Sequence, residues 1–304
     1  MLAIDLQAAF DSVWHDGLIY KLCSIGLPTY LVKLIQSYLQ DRFFCVRVGS
    51  ALSSLHGITA GVPQGAVLSP LLFNMYLYDL PCPNEVTIAQ FADDTAVVAN
   101  SYRTAAVIRK LQQAANAFTR FFHRWRIRIN PSKSEACLFT RKRAPRHRPQ
   151  RCITIEGQQV SWSSSIKYLG MHLDKTLTYQ QHIQQKIEKG EKMIRTLYPL
   201  ISRNSKLNLP LKLLLFKAIF RPAICYASPV WSMCAATHIL KLQRFQNKVL
   251  KMMLGVPIQT PTLEVHELTG VELLRDFLAR MSDSFIAKGL LNLNEDIVRL
   301  FQTP

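Results

Sequence analysis

Asp93 and Asp94 stand side by side between the apolar runs Val86 to Phe91 and Thr95 to Ala99. Strand, two-residue turn, strand is the expected reading, with both carboxylates held at the apex of a hairpin. Two carboxylates so placed repel each other, and a divalent cation relieves that repulsion most simply. Mg²⁺ suits such a turn, because it takes a few carboxylate oxygens, keeps several waters and completes its octahedron with substrate phosphates. The chemistry to expect is metal-assisted phosphoryl transfer. Aspartate is also a favoured turn residue for backbone reasons, so the pair by itself fits an ordinary surface turn equally well.

A third carboxylate comes from the start of the chain. Leu2 to Leu6 reads as a short buried strand that carries Asp5 among apolar side chains. Such a charge is costly unless it is paired or metal-bound. Asp11 is the next acid, and a continuous strand would carry it roughly 20 Å from Asp5, too far to share an ion. Asp11 is therefore expected to be structural, as a cap before a helical stretch from Val13 to Leu22.

Between these segments, Gly61 to Asn74 is a glycine- and proline-rich loop that runs into an amphipathic helix. Glycines at 61 and 65 let backbone approach a ligand closely, and a helix start offers free N–H groups to a polar partner. A plain loop before a core helix has the same composition.

In this order the segments resemble the reverse transcriptases of non-LTR retrotransposons, and among them the jockey-like elements. Ala3 to Val13, with Asp5, Phe10 and Asp11, is similar to the first catalytic motif of that family, and Gly61 to Asn74 to its second. Phe91 to Asp94 resembles the acidic hairpin, Arg128 to Phe139 the fourth motif, and Lys167 to Asp174 the strand that grips the primer. Five stretches in the family's order are far more specific than any one of them.

The resemblance implies an α+β fold: a right-hand polymerase palm, made of a small antiparallel sheet with backing helices, followed by an all-helical thumb. It implies that Asp5, Asp93 and Asp94 bind two Mg²⁺ ions, with Mn²⁺ as a substitute, which activate the primer 3′-hydroxyl and steady the triphosphate. Phe10 would lie under the incoming sugar and disfavour an added 2′-hydroxyl. Gln64, Gly65, Ser69 and Asn74 would contact the nucleotide and the template. Lys133 would approach the pyrophosphate as a proton donor or as a positive charge, although a solvated lysine is the plain alternative. Tyr168, Leu169 and Gly170 would set the primer end. The implied partners are an RNA template, a DNA primer or hybrid, and deoxynucleoside triphosphates, with no membrane.

Composition agrees with a nucleic-acid partner. The 304 residues contain 37 Lys and Arg against 20 Asp and Glu, a formal charge of +17. Such an excess favours a phosphate backbone and makes affinity fall as salt rises. Between Arg120 and Arg151 the only acid is Glu135, and Arg141 to Arg148 reads as an exposed basic loop, either solvated or in contact with nucleic acid. On the expected helix Ile239 to Leu254, Lys241, Arg244, Lys248 and Lys251 share one face, which could follow a duplex or simply face water.

The chain is long enough for two units. The expected division is a palm with remnant fingers elements over 1–176 and a helical thumb and C-terminal region over 177–304. Helices are expected at Asp16 to Ile25, Tyr30 to Gln40, Leu68 to Leu80 and Thr104 to Trp125, with a strand at Phe43 to Val48. Val107, Leu111, Ala115, Phe118 and Phe122 have helical spacing and belong to a core face. Beyond Leu177, helices are expected at Tyr179 to Leu197, Leu211 to Phe220, Ala235 to Leu254 and Val271 to Leu290. The apolar run Leu209 to Met233 is interrupted by Lys212, Lys217, Arg221, Pro222 and Pro229, so it reads as buried helix and not as a membrane span.

Seven cysteines show neither Cys-x-x-Cys spacing nor a nearby histidine pair, so no zinc site is expected. Their odd number and the missing signal peptide point to the nucleus or cytoplasm, and to a protein that is not secreted. Met1 falls four residues before Asp5, which leaves no room for the family's upstream fingers region or endonuclease. The expectation is a fragmentary polymerase, weak or inactive in isolation. Two other readings stand beside it: an inactive nucleic-acid-binding remnant, and a two-metal nuclease. The nuclease is disfavoured because no general-base histidine lies near the acidic pair.

Overall fold

Strand β1 (Leu2–Ile4) alternates buried, half-buried and buried residues and leads through Asp5 into β2 (Leu6–Gln7). The computed structural model describes residues 1–140 and 152–291, and the chain divides into two units, Met1–Leu169 and Gly170–Pro304. In the first unit a 3₁₀ turn (Phe10–Ser12) follows β2, then α1 (His15–Ser24) and α2 (Thr29–Leu39). Asp11 lies inside that turn and caps no helix. Trp14 is the N-cap of α1 and makes no side-chain cap bond, which corrects the expected role of Asp11.

The expected strand at Phe43 to Val48 is instead two short pieces, β3 (Phe43–Phe44) and β4 (Arg47–Val48). They pair with β6 (His56–Gly57) and β5 (Ala51–Leu52). The break has a local cause. Val46 N–H donates to the Ser53 hydroxyl at 2.9 Å, where a continuous ladder would offer a backbone carbonyl. Every residue of these four pieces is exposed, so no buried face enforces a longer strand.

Next come α3 (Leu68–Tyr76), β7 (Val86–Phe91), β8 (Asp94–Ala99) and α4 (Thr104–Arg124). Helix α3 stops short of the expected Leu80 because the buried Lys21 ammonium claims the Tyr76 carbonyl at 2.5 Å and pairs with Asp79. On α4 the buried residues Val107, Ile108, Leu111, Ala114, Ala115, Phe118 and Phe122 recur every three or four positions. They make one apolar face, as the spacing predicts, and it joins Leu2, Ile4 and Val97 in the core of this unit.

The unit closes with β9 (Arg128–Ile129), β10 (Glu135–Ala136), β11 (Thr154–Ile155), β12 (Gln158–Gln159), β13 (Ser161–Trp162) and β14 (Ser165–Tyr168). A five-stranded sheet runs β13-β10-β1-β8-β7, and β2 pairs separately with β9. Strand β1 is antiparallel to both neighbours, whereas β10 and β13 run parallel.

The second unit opens with β15 (Met171–Asp174) and α5 (Gln180–Ile201). Asp174 shapes the start of α5 by accepting from the backbone N–H groups of Thr176, Thr178 and Tyr179 and from both threonine hydroxyls. Burial alone would raise its pKa. The hydrogen bonds outweigh that and hold the carboxyl below its ordinary value.

The apolar run after Leu209 is broken where its prolines fall. It forms α6 (Leu209–Leu215), a π turn (Phe216–Phe220), α7 (Arg221–Ile224) and α8 (Ser228–Trp231). Pro222 and Pro229 each sit in the first turn of a new helix, where a missing N–H costs nothing. No helix among the described residues is long and apolar enough to cross a membrane. The unit ends with α9 (Ala236–Leu254), stopped by Gly255 at φ +71°, then α10 (Thr262–Thr269) and α11 (Leu274–Leu291). Helix α10 was not expected from the sequence, and α11 begins three residues later than Val271. Gly190 of α5 lies against Phe245 of α9, where an added Cβ would come within 2.3 Å of the ring.

Candidate active site

The acidic turn is displaced by one residue from its expected form. Phe91 pairs with Asp94, so the two turn residues are Ala92 and Asp93, and Asp94 is the first residue of β8. Ala92 has φ +52°, a conformation in which an alanine is strained and a glycine is not. The register of β1 against β8 pairs Leu2 with Val97, Ala3 with Ala96 and Ile4 with Thr95. One more step in that register sets Asp5 opposite Asp94.

Electrostatics bear out the proximity of the three acids. The pKa of Asp94 is raised, first by burial and then by the negative charges of Asp93 and Asp5, while Lys167 acts the other way. Among the described residues no three His, Cys, Asp or Glu side chains converge as a ready-made metal cage. The carboxylates stand close enough to feel one another but are not gathered on a point. An all-oxygen, anionic donor set of this kind suits Mg²⁺ or Mn²⁺ and not zinc. Mg²⁺ needs only one or two protein carboxylates, the rest coming from water and phosphate.

Asp5 is held by its backbone. Its N–H donates to Ser134 Oγ at 3.1 Å, and its carbonyl accepts from Asn130 N–H at 2.8 Å. Ser134 Oγ in turn donates to Asn130 O at 2.8 Å. The turn Asn130 to Ser134 therefore clamps the residue between β1 and β2. Lys133 lies on this turn and is exposed, with its backbone N–H on Asn130 Oδ1. Sequence reasoning missed Ser134 as a supporting residue and Lys167 as a counter-charge. Ser134 gave no local signal, because its partner lies 129 residues away.

Tyr168 is brought to the same hairpin, with its hydroxyl donating to Ala89 O of β7 at 3.0 Å. Its pKa is raised by burial and then by Asp94. Leu169 and Gly170 follow as consecutive positive-φ residues, at +47° and +74°. Phe10 stacks on Phe73 of α3, with ring centroids 4.8 Å apart. Together with Asn74, Phe91 and Ala92 it lines a cleft of about 870 Å³ between α3 and β7. Gln64 and Gly65 are exposed, and Gln64 Nε2 donates to both carboxylate oxygens of Asp11.

Ser69 is buried, and its hydroxyl donates to Pro63 O, which ties the start of α3 to the loop before it. The cationic face of α9 is also partly engaged. Lys248 pairs with Glu191 on α5 at 2.7 Å, and Lys251 donates to Ile258 O at 2.5 Å. The basic stretch Arg141 to Arg148 lies outside the described residues.

Comparison with known proteins matches residues 1–173 to the family described as reverse transcriptase (RNA-dependent DNA polymerase). The probable RNA-directed DNA polymerase from transposon X-element of Drosophila melanogaster is 38% identical over 259 residues, which cover 84% of this chain and 28% of that protein. The RNA-directed DNA polymerase from mobile element jockey of Drosophila funebris is 36% identical over 270 residues, 86% of this chain and 29% of that protein. The chain thus spans less than a third of the length of these relatives. Among solved structures, telomerase from Candida albicans, in complex with a fragment of telomeric RNA, aligns over 100% of this chain and 50% of that chain at 12% identity, with a TM-score of 0.39.

Proposed function

Because this chain belongs to the reverse transcriptase (RNA-dependent DNA polymerase) family, we propose that it carries the polymerising centre of a non-LTR retrotransposon protein. The reaction is addition of a deoxynucleotide to a primer 3′-hydroxyl on an RNA template. The single observation that carries this reading is the juxtaposition of Asp5 and the Asp93–Asp94 turn across β1 and β8.

In this reading residues 1–176 form a palm with remnant fingers elements, and residues 177–304 a helical thumb and C-terminal region. Asp5, Asp93 and Asp94 hold two divalent ions, Mg²⁺ or Mn²⁺. When bound, these supply Lewis-acid activation of the 3′-hydroxyl and charge neutralisation at the triphosphate. The protein's own share is positioning, which is most of what phosphoryl transfer requires. Lys133, on the turn that clamps Asp5, offers positive charge or a proton to the leaving pyrophosphate. Phe10, backed by Phe73, presents a rigid ring to the sugar. Gln64, Gly65 and Asn74 meet the nucleotide and template, while Tyr168, Leu169 and Gly170 set the primer end. The location this implies is intracellular, in the nucleus or cytoplasm.

The test is labelled primer on a homopolymer RNA template, with Mg²⁺ and the complementary deoxynucleotide, run beside Asp94→Ala. Lengthening that the substitution abolishes supports the polymerase. Shortening of the label indicates a nuclease, and salt-dependent binding indifferent to Mg²⁺ and to Asp94→Ala indicates a binding remnant.

A further inference from the structure

The turn that carries Phe10 and the loop that carries Gln64 are laced together. Gly61 N–H donates to Val13 O and Val62 N–H to Phe10 O, both at 2.8 Å, and His15 Nε2 lies 2.8 Å from Gly61 O. Gly61 has φ +94°, and a Cβ there would stand 2.9 Å from both the Cα and the carbonyl oxygen of Asp11. Only glycine lets the two backbones come this close.

This approach brings Gln64 to Asp11. Nε2 of Gln64 lies 3.0 Å from Oδ1 and 3.2 Å from Oδ2. A carboxylate accepts and cannot donate, so the amide nitrogen must face Asp11 and the amide oxygen must point away from it. Among the described residues no hydrogen bond to that oxygen occurs, and Gln64 is exposed. A glutamine without such a partner turns over freely and offers its oxygen and its NH₂ alike.

We propose that Asp11 is a positioning residue, which locks Gln64 so that its amide oxygen is the atom offered to a hydrogen-bond donor on the nucleic acid, a ribose hydroxyl or a base amine. The proposal rests on the polymerase reading of the first unit. It assigns Asp11 a role that neither its own contact with substrate nor helix capping would give.

The test combines two readouts. The first is the affinity of the chain for a primed RNA template with Mg²⁺ and the next deoxynucleotide, for wild type, Asp11→Ala, Gln64→Ala and the double variant. Asp11→Ala should weaken binding about 2- to 10-fold, the worth of immobilising one flexible side chain. The double variant should bind no worse than Gln64→Ala, because Asp11 acts only through Gln64. Asp11→Asn, which preserves shape, should give a smaller loss and covers the case in which the alanine variant fails to fold. A 2′-deoxy templating nucleotide, or inosine in place of guanosine, identifies the donor as the substitution that erases the difference between wild type and Asp11→Ala.

The second readout is the ¹H–¹⁵N signal of the Gln64 side-chain amide, which should lie away from the free-glutamine position and return to it in Asp11→Ala. Additive losses in the double variant, or a Gln64 signal already at the free position, overturn the proposal. An intact Asp11–Gln64 signal in a protein that binds no primed template also overturns it, and in that case the polymerase reading is what has failed.

Discussion

Asp5 directly follows β1 and Asp94 opens the antiparallel β8, so that the register, carried one step beyond its last pair Ile4 and Thr95, sets the two residues opposite each other. Two negative charges placed this way work against each other until a cation joins them. The arrangement therefore separates the stability of the protein alone from its stability with metal.

Asp94→Asn removes one of the opposed charges. In metal-free buffer its melting temperature should equal or exceed that of wild type, because like-charge repulsion is relieved. Addition of Mn²⁺ or Mg²⁺ should raise the melting temperature of wild type only. At ten times Kd the stabilisation is about 1.4 kcal/mol, from mass action alone. Equal metal-induced shifts in both proteins would contradict the assigned donor set.

Ser134→Ala deletes a hydroxyl that accepts from Asp5 N–H and donates to Asn130 O. Asn130 O keeps the Ser134 N–H at 3.0 Å, so the stranded group is the Asp5 N–H, which should cost about 1–3 kcal/mol in urea unfolding, the usual penalty for an unsatisfied buried polar group. Primer extension should fall further than stability accounts for, since Asp5 loses its clamp. Thr at this position restores the hydroxyl and should recover most of both.

Lys21 is a buried cation surrounded by rings. Its ammonium lies 3.8 Å from the centroid of Trp125 and 4.6 Å from that of Phe121, while donating to Tyr76 O and pairing with Asp79. Burial lowers its pKa, against the pull of Asp79. Lys21→Ala should cost about 1–3 kcal/mol, because it strands the buried Tyr76 carbonyl, whereas the exposed Asp79 carboxylate returns to water. Urea denaturation measures this, and a loss under 1 kcal/mol would mean that the ring nest closes over the gap.

His182 gives the second unit a pH dependence. Its pKa is pushed down to about 4, by burial first and then by Lys186 and His172, from an ordinary value of 6.5. Its Nδ1 accepts from His172 N–H, as a neutral imidazole must. Between pH 6.5 and about 4 the unfolded chain takes up a proton that the folded chain refuses. Stability should fall as pH falls through that window, and this contribution should level off below it. His182→Leu should flatten the slope in urea midpoints measured from pH 7 to pH 4.5. An unchanged slope would place the titration elsewhere.

What could be read from the sequence was local. The hairpin of Asp93 and Asp94 is visible because apolar runs of strand length flank a turn, and Asp5 because a lone carboxylate interrupts an apolar strand. The one-residue shift at Ala92 was not visible, since alanine at positive φ breaks the preference that would announce it. The end of α3 is decided by Lys21 meeting backbone 55 residues away, and the inward turn of Ser69 and the broken strand at Val46 by side chain–backbone bonds across six and seven residues that match no regular period. The pairing of Asp11 with Gln64 spans 53 residues and the clamp on Asp5 spans 129, and no periodicity carries information over such separations. The buried face of α4 spans most of its 21 residues, and there the pattern alone was sufficient.

The clamp on Asp5 also sets an order of events during synthesis. Asn130 and Ser134, which seize the backbone of Asp5, are translated more than a hundred residues after it. A ribosome-bound chain ending before residue 130 thus has all three acids without the brace that holds the first of them. The acidic centre matures late, as β9 and β10 close over a strand that has waited for them, and pulse-labelled nascent chains should acquire protease resistance around Asp5 only after that point.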